Sequence, residues 1–479
     1  MIDPPPTAPV HKPLILAICC MSILIVGLDV TILNVALPSI QRDLHASIAG
    51  AQWTIDAYTL VIASLLLLAG STADRIGRRR VFQLGLSVFT LGSLLCSVAP
   101  SLGWLIAFRM LQAVGGSMLN PVALSIISNT FTDGKERARA IGAWSGVVGI
   151  SIASGPIIGG ALVEGIGWRS VFWINIPIGI AALVLAQRFV PESRAAKARR
   201  PDPIGQVLII GFLATLVYGI IEAPSTGWEG PATIGFFAVA LLCLIGLIRY
   251  ELTRKEPLLE LRFFRSAPFS GAGIVAVSAF AVLGGFLFLN TLYLQDVRGL
   301  SALRAGLFLL PMAAAMFVLG PVSGYLVGKW GPRPSLTIGG CALSLAGLLF
   351  ALWGSHLPDP RLFLGYCVIG VGLGMLNAAI TNTAVSGMPR AQSGVAAATT
   401  STARQVGQSL GVAIVGSILA SRVTHIMPGA AFTSGARTSW WVIFGLGIAI
   451  LVVAVTTTGE WGKATAARTA ARFAAGEQA

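Results

Sequence analysis

Long apolar segments recur along nearly the whole chain, separated by short polar connections. Each runs to about 20 residues, the length that a helix needs to cross roughly 30 Å of hydrocarbon. Backbone polar groups inside lipid must be satisfied within the segment, so these segments are predicted to be helices. The pattern predicts fourteen spans, at about 14–37, 51–73, 80–99, 102–127, 137–162, 169–189, 204–222, 232–250, 268–293, 303–328, 334–354, 361–386, 393–420 and 438–458. We therefore expect an all-α integral membrane protein.

The two halves of the chain repeat one loop pattern. GSTADRIGRRR (70–80) follows the second span, and GYLVGKWGPR (324–333) follows the tenth. Internal repeats of this kind are common in secondary transporters. The predicted organisation is an N-terminal tail (1–13), a six-helix bundle (14–190), an inserted two-helix segment with its linkers (191–266), a second six-helix bundle (267–458) and a C-terminal tail (459–479).

Composition and charge agree with a membrane protein. The chain is 55% hydrophobic and 11% charged, which excludes an ordinary soluble protein of 479 residues. Its net charge of +14 does not indicate nucleic-acid binding, because Lys and Arg concentrate in alternate loops and in the tails. This asymmetry places both termini in the cytoplasm, and we expect a multi-pass protein of the inner membrane.

Known catalytic and cofactor patterns do not stand out. The chain lacks a Gly-x-x-x-x-Gly-Lys-[Ser/Thr] segment that would bind the phosphates of ATP. Its six cysteines and four histidines lack the spacing of a metal site. We therefore expect no enzyme activity, no cofactor and no metal, with protons, small molecules and lipid as partners of a chain that works as a monomer.

Three charged residues interrupt the apolar segments. Asp29 lies in the first span, Asp56 in the second and Arg109 in the fourth. At 1.5 Å per residue, Asp29 is roughly 8 Å from the outer edge, while Asp56 and Arg109 are about 8 and 10 Å deep. A charge in hydrocarbon needs a partner, a cavity or a proton, so three at one depth indicate a site. The alternatives are an interhelical hydrogen bond for Asp29 and a hydrated outer vestibule for Asp56.

Several motifs together resemble one known family. LDVTILNVALP (28–38), GSTADRIGRRR, RMLQAVGGS (109–117), GPIIGG (155–160) and GWRSVFWINIPIG (167–179) are similar to segments of the major facilitator superfamily, and more narrowly of its fourteen-span drug:proton antiporters. The resemblance covers essentially the whole chain. It implies the major facilitator fold, with two six-helix bundles and two inserted helices. The segment WTIDAYTL (53–60), which places Asp56 in the second span, is similar to the corresponding segment of the branch that exports antiseptics and cationic dyes.

The loop after the second span contains the residues expected to control switching. Gly70 and Gly77 are predicted to permit close packing and a tight turn. By resemblance, Asp74 and Arg78 hold the halves in one conformation, and Arg75 belongs to the same loop motif. The alternative is that the basic residues of this loop only set the topology.

The fifth span is expected to pack closely. Gly155, Gly159 and Gly160 present a small surface, and Pro156 removes one backbone donor and bends the helix. The resemblance implies that this helix prevents proton leak and favours exchange. Tight packing alone is the alternative, and the two interpretations are compatible.

Three further polar residues fall within spans. Asn34 and Tyr58 are candidates for substrate contact, although interhelical hydrogen bonds are the usual role of such residues. Arg404 lies in a span rich in small polar residues, where it either stabilises the interface between the halves or lines the cavity.

These residues lead to one functional prediction. Burial and a neighbouring Arg act in opposite directions on the protonation of a carboxyl group, so Asp29 beside Arg109 suits a proton carrier. Asp56 is the candidate for recognising a cationic substrate or a second proton. The expected function is proton-coupled export of lipophilic, cationic compounds by alternating access. The alternatives are an exporter of one metabolite or of anionic or neutral compounds, and a membrane sensor or scaffold that no longer transports; an importer is disfavoured by GPIIGG.

Overall fold

The computed structural model describes residues 11–195, 202–254, 256–353, 357–386, 393–422 and 429–476, and these contain helices and no strand. The helices are α1 (Lys12–Asp43), α2 (Ile48–Ile76), α3 (Arg78–Ser97), α4 (Leu102–Thr130), α5 (Gly134–Gly165), α6 (Ser170–Trp173), α7 (Asn175–Phe189), α8 (Pro203–Thr226), α9 (Pro231–Thr253), α10 (Ala267–Leu292), α11 (Ala302–Phe308), α12 (Leu310–Trp330), α13 (Pro332–Trp353), α14 (Asp359–Val385), α15 (Ser393–Ala420), α16 (Gly429–Thr457) and α17 (Glu460–Gly476). Five basic residues of the predicted loops lie outside the described residues, namely Lys197, Arg199, Arg200, Lys255 and Arg390.

The predicted all-α membrane fold is confirmed. Within the described ranges, thirteen helical segments are long and apolar enough to cross a membrane. Two of them, the sixth and tenth predicted spans, contain one-residue interruptions, which separate α6 from α7 and α11 from α12. The remaining predicted span corresponds to α15, which has the required length but contains a more polar central stretch, TSTARQVGQS at 400–409.

Short capped connections separate consecutive spans. Ser47 caps α2 by accepting a hydrogen bond from the Gly50 amide. Asp133 accepts from the first-turn amides of α5, and Asp202 caps α8 in the same way. Since the first amides of a helix have no partner inside it, these side chains allow each helix to start immediately after a short turn.

The end of the chain differs from the sequence prediction. The last span was expected to begin at about 438, but α16 begins at Gly429, because the helix continues through small and polar residues that carry no apolar signal. The predicted tail after 459 contains α17, whose Thr465 hydroxyl accepts a hydrogen bond from the Ala267 amide at the start of α10. The helix is amphipathic, so a search for apolar spans does not detect it.

The helices pack as two groups and one inserted pair. We call α1–α7 the N-terminal half and α10–α16 the C-terminal half. The face at which α1 begins and α16 ends is called the terminus face, and the opposite face is the distal face. Ion pairs occur at both faces: Lys12 with Glu136 at the terminus face, and Asp43 with Arg169 at the distal face.

The two halves meet toward the distal face. There α5 packs against α11, and α2 packs against α15. Gln295 of the segment after α10 donates to the Val35 carbonyl of α1 at 2.8 Å, and the Leu303 amide donates to Glu164 at 3.3 Å. Toward the terminus face, α5 and α12 carry glycines at which an added Cβ would meet no atom within 4 Å, namely Gly142, Gly146, Gly149, Gly320, Gly324 and Gly328. The halves are therefore joined at the distal face and separated along these helices at the terminus face.

The inserted pair covers the edge of the contact between the halves. Helix α8 packs against both α2 and α15, and α9 packs against α8. Gln206 of α8 donates to the Ser64 carbonyl of α2 at 2.7 Å, and the Trp53 indole of α2 donates to Glu222 at 3.0 Å. The pair thus contacts both halves at the same contact surface.

Candidate functional site

A buried polar network surrounds Asp29. Arg109 Nη1 donates to Asp29 Oδ2 at 2.5 Å, while Gln112 Nε2 and Asn175 Nδ2 donate to Asp29 Oδ1 at 2.8 and 3.1 Å. Ser93 Oγ accepts from the same two amide groups. All five side chains are almost completely excluded from solvent. We call these five residues the Asp29 network.

Four helices of the N-terminal half contribute to the Asp29 network. Asp29 comes from α1, Ser93 from α3, Arg109 and Gln112 from α4, and Asn175 from the first turn of α7. Arg109 and Gln112 are three residues apart, so they lie on one face of their helix and bond each other at 2.7 Å as well as Asp29. The charge pair therefore sits inside one half and does not bridge the two halves.

Helix α2 encloses the guanidinium group of Arg109. The Arg109 carbon Cζ lies 4.0 Å from the centre of the Tyr58 ring, and Arg109 Nε donates to the Thr54 carbonyl at 3.4 Å. A cation over an aromatic face is stabilised by the charge distribution of the ring. Tyr58 itself is fully buried, so the structure places it as a support for Arg109 rather than on an open surface.

Sequence reasoning missed three members of the network, Ser93, Gln112 and Asn175. The signal for Gln112 was its three-residue spacing from Arg109 in RMLQAVGGS, and Asn175 lies within the quoted segment WINIPIG. Ser93 carries no such signal, because a serine in an apolar helix usually bonds its own backbone.

Asp56 occupies a different environment from Asp29. The residues that face Arg109, Thr54 and Tyr58, lie on one side of α2, whereas Asp56 is about 200° around the helix from Thr54. Asp56 is fully buried and faces α15, with Ser409 beside its carboxyl group. Asp56 Oδ1 accepts from the Thr59 hydroxyl at 3.4 Å, and Asp56 Oδ2 has no hydrogen-bond partner among the described residues. The structure therefore joins Asp29 with Arg109 and places Asp56 separately, between the halves.

The glycines of the fifth span contact both halves. A methyl group at Gly159 would lie 3.0 Å from Ile32 of α1, and one at Gly160 would lie 2.6 Å from the Ala302 carbonyl oxygen of α11. A methyl group at Gly155 would collide with the side chain of Thr31. The carbonyl of Pro156 faces Gly306 of α11. The approaches at Gly160 and Gly306 are to backbone atoms, which leave no room for a side chain there, so the motif packs α5 closely against both α1 and the C-terminal half.

The loop after α2 contains one glycine that the backbone requires. Gly77 has φ +126°, and an added Cβ would lie 2.6 Å from the Glu192 carboxylate. Gly70, predicted to permit close packing, does not require glycine, because a Cβ there would make an ordinary contact of 3.8 Å with Pro121. Asp74 Oδ1 accepts from Arg78 at 2.8 and 3.2 Å, and Arg75 is exposed. The Asp74–Arg78 pair lies within the N-terminal half.

Two remaining candidates make bonds inside their own half. Asn34 Nδ2 donates to the Val30 carbonyl one turn earlier on α1. Arg404 of α15 donates to the Thr381 hydroxyl at 2.5 Å and to the Asn377 carbonyl at 3.3 Å, both on α14. The bonds of Arg404 therefore hold α15 to α14 and do not cross between the halves.

A model of the Major Facilitator Superfamily matches residues 19–412 of the sequence. The chain belongs to this superfamily. Among curated proteins, it is 40% identical to the tetracenomycin C resistance and export protein of Streptomyces glaucescens, over 87% of this chain and 77% of that one. It is 36% identical to the multidrug resistance protein Stp of Mycobacterium tuberculosis (strain CDC 1551 / Oshkosh), over 84% and 74%. It is also 34% identical to the methylenomycin A resistance protein of Bacillus subtilis (strain 168), over 89% and 93%.

Solved structures of superfamily members share the fold. A bacterial homologue of the human lysosomal transporter Spinster, in an inward-facing and unoccupied conformation, aligns with a TM-score of 0.63 at 18% identity, over 97% of this chain and 99% of that one. The nucleoside transporter NupG aligns with a TM-score of 0.65 at 12% identity, over 93% and 100%. The chain is thus a multi-pass membrane protein of a transporter family whose similar members include drug-resistance and export proteins.

Proposed function

We propose that this protein is a proton-coupled antiporter that exports lipophilic, cationic compounds by alternating access. The terminus face is cytoplasmic and the distal face is external, as the distribution of Lys and Arg favours. The chain works as a monomer in the inner membrane, and its two halves are the moving domains, with α8 and α9 inserted between them.

The Asp29–Arg109 pair supports proton coupling most directly. A buried ion pair costs desolvation free energy, so its presence in a transporter calls for a role beyond packing. Protonation of Asp29 would remove the counter-charge of Arg109, which then needs another partner. Because Asp29 of α1 bonds residues of both α4 and α7, the gain or loss of one proton would change the packing of the N-terminal half.

Asp29 lies close to the contact between α1 and α5, and this contact would carry the change to the interface between the two halves. Asp29 is two residues from Thr31 and three from Ile32, and these two residues face Gly155 and Gly159 of α5. The next glycine, Gly160, faces α11 of the C-terminal half. Helix α5 therefore contacts residues next to Asp29 on one side and α11 of the C-terminal half on the other. This arrangement gives a short physical route for coupling.

Asp56 is the second charged group of the proposed mechanism. A buried carboxylate with an unpartnered oxygen is costly unless a cation or a proton occupies it. Its location between α2 and α15 lets it act only when the halves separate there. We assign it to recognition of cationic substrate, with a second proton as the alternative occupant.

Transport in purified vesicles tests the proposal. Protein in lipid vesicles is given an imposed pH gradient, and the movement of ethidium is followed. We expect ethidium to move against the proton flux and to stop when a protonophore collapses the gradient. Movement that is insensitive to the gradient would exclude proton coupling, and no movement of any compound in a broad panel would favour a sensor or scaffold.

A dedicated exporter is the second candidate function. Two of the similar proteins are named for a single antibiotic each, tetracenomycin C and methylenomycin A. The same vesicle assay distinguishes the two functions. Saturable transport of one compound out of a chemically varied panel would support the dedicated exporter, and transport of many unrelated cations would support the multidrug antiporter.

A further inference from the structure

An aromatic cavity lies inside the C-terminal half, away from the contact between the halves. It has a volume of about 180 Å³ and is lined by residues of α10, α13, α14 and α16 together with Tyr293 and Leu357. These elements all belong to the C-terminal half or its distal loops. The cavity is therefore distinct from the Asp29 network and from Asp56.

The walls of the cavity are aromatic rings held in fixed positions. Phe350 and Trp440 stack with their ring centres 4.2 Å apart and 16° between their planes. Tyr366 packs on Phe350, with ring centres 6.0 Å apart. Phe350, Tyr366 and Trp440 are buried. Such a surface offers stacking and edge contacts to a planar ring.

One buried polar group of the wall lacks a partner. Asn290 Oδ1 accepts a hydrogen bond from the Tyr366 hydroxyl, which fixes the orientation of the amide. Asn290 Nδ2 has no partner among the described residues, although Asn290 is 4% exposed. A buried donor without an acceptor costs free energy, and an oxygen of a bound molecule would remove that cost.

The mouth of the cavity carries a positive charge. Arg437 of α16 lines the cavity and is exposed, as is Leu352 at the end of α13. Leu352 lies in the last turn of α13, and Arg437 lies about two turns into α16 from its distal end. An aromatic compound with an acidic oxygen would meet the charge of Arg437 as it enters, and a carbonyl or carboxylate oxygen would reach the Asn290 amide inside.

We propose that this cavity is a ligand site for a single aromatic ring that carries a carboxylate or carbonyl oxygen. The volume fits that size, since a cavity of roughly 150 Å³ in another protein accommodates one benzene molecule. Asn290 recognises the oxygen, the stacked rings of Phe350 and Trp440 hold the aromatic plane, and Arg437 favours a negative charge. The site selects a chemistry opposite in charge to the cations proposed for Asp56.

Equilibrium binding to the purified full-length protein tests the site. Labelled salicylate is the probe, and cyclohexanecarboxylate, which has the charge but no aromatic plane, is the comparison compound. We expect saturable binding of salicylate that excess unlabelled salicylate displaces and that cyclohexanecarboxylate displaces much more weakly. Non-saturable uptake that equals the uptake of empty micelles would overturn the proposal.

Variants separate this cavity from the rest of the protein. Asn290→Leu and Arg437→Gln should each weaken salicylate binding about three- to tenfold, the change expected when one hydrogen bond or charge contact is lost. Ala436→Leu, which fills the cavity and leaves the Asn290–Tyr366 bond in place, should abolish binding. Equal binding by Ala436→Leu and wild type would overturn the proposal even if Asn290→Leu failed to fold.

Matched controls complete the experiment. Ala449→Leu adds the same volume elsewhere on α16, and Arg304→Gln removes another exposed charge at the distal face; both should bind as wild type does. Asp56→Asn should also bind normally, because the assay uses no gradient and the cavity does not include that residue. Loss of salicylate binding in a folded Asp56→Asn variant would assign the probe to the transport path and overturn the proposal.

Discussion

Arg109 and Asp29 form an ion pair with a 2.5 Å contact in which both side chains are at most 2% exposed. Gln112 and Asn175 complete the hydrogen bonding of the carboxylate. The pair has a structural role and a proposed proton-carrying role, and a single substitution affects both. Removing the charges of Asp29 and Arg109 together separates the two roles, because the proton carrier is lost but no unpaired charge stays buried.

Asp29→Asn should abolish gradient-driven efflux and lower stability by up to about 3–5 kcal/mol, because Arg109 keeps its buried charge without a counter-charge. The double variant Asp29→Asn with Arg109→Gln should recover much of the stability and remain inactive. Thermal unfolding and vesicle efflux measure the two effects. Full efflux by either variant would exclude Asp29 as the proton carrier.

Asp56→Asn should behave differently from Asp29→Asn. It removes a buried charge with an unpartnered oxygen, so we expect stability to stay the same or to rise. Efflux of cationic dyes should fall sharply, while neutral substrates are still exported. Thr59→Val, which removes only the hydroxyl donor to Asp56, is the control and should have a smaller effect. Equal loss of cationic and neutral efflux would argue against charge recognition.

Gly160→Val should weaken closure of the distal face. The added side chain would collide with the α11 backbone at Ala302, so the conformation with α5 and α11 in contact becomes less populated. Spin labels at Ile166 and Leu307, in a variant without the native cysteines, report the distance between the two helices. Gly165→Val is the control, since a Cβ at Gly165 meets no atom within 4 Å. An unchanged distance distribution in Gly160→Val would contradict this role.

The open glycine surfaces of α5 and α12 should meet when the terminus face closes. A variant with Gly146→Cys and Gly324→Cys, again without the native cysteines, tests this directly. We expect a short cross-linker to join the two positions during transport, and more strongly when Gly160→Val is added. Single-cysteine variants show the background. Absence of any cross-link under turnover would be inconsistent with closure along these two helices.

Gly77→Ala and Gly70→Ala form a matched pair in the loop after α2. Gly77 has a positive φ and lies against Glu192, so its substitution should cost about 1–3 kcal/mol. Gly70→Ala should be tolerated because the added methyl group makes an ordinary contact. Thermal unfolding of both variants provides the comparison, and a Gly70→Ala variant as unstable as Gly77→Ala would mean that the loop packs differently.

The helices were predictable because the membrane imposes a local rule. Each span needs about 20 apolar residues, and this length is visible without knowledge of the neighbouring helices. The same rule explains the errors. Gly429 begins α16 in a stretch of small and polar residues, and α17 is amphipathic rather than apolar, so neither boundary has the signal of a span.

The candidate site was predictable only in part. Asp29 and Arg109 stood out because charge in an apolar segment is costly, and their similar depths followed from the rise of a helix. Depth does not specify which way a side chain points. Asp56 shares that depth and faces α15, while Tyr58, two residues later, packs under Arg109.

The sequence by itself determined which segments are apolar spans, how the chain alternates between two faces and that Asp29, Asp56 and Arg109 lie in apolar surroundings. Each of these depends on residues close together along the chain. Tertiary structure decided that Asp29 pairs with Arg109 inside one half, that Asp56 lies between the halves, and that Gly160 rather than Gly70 permits a close approach. These relationships depend on how each helix rotates and packs against helices distant in sequence, which apolar periodicity does not encode.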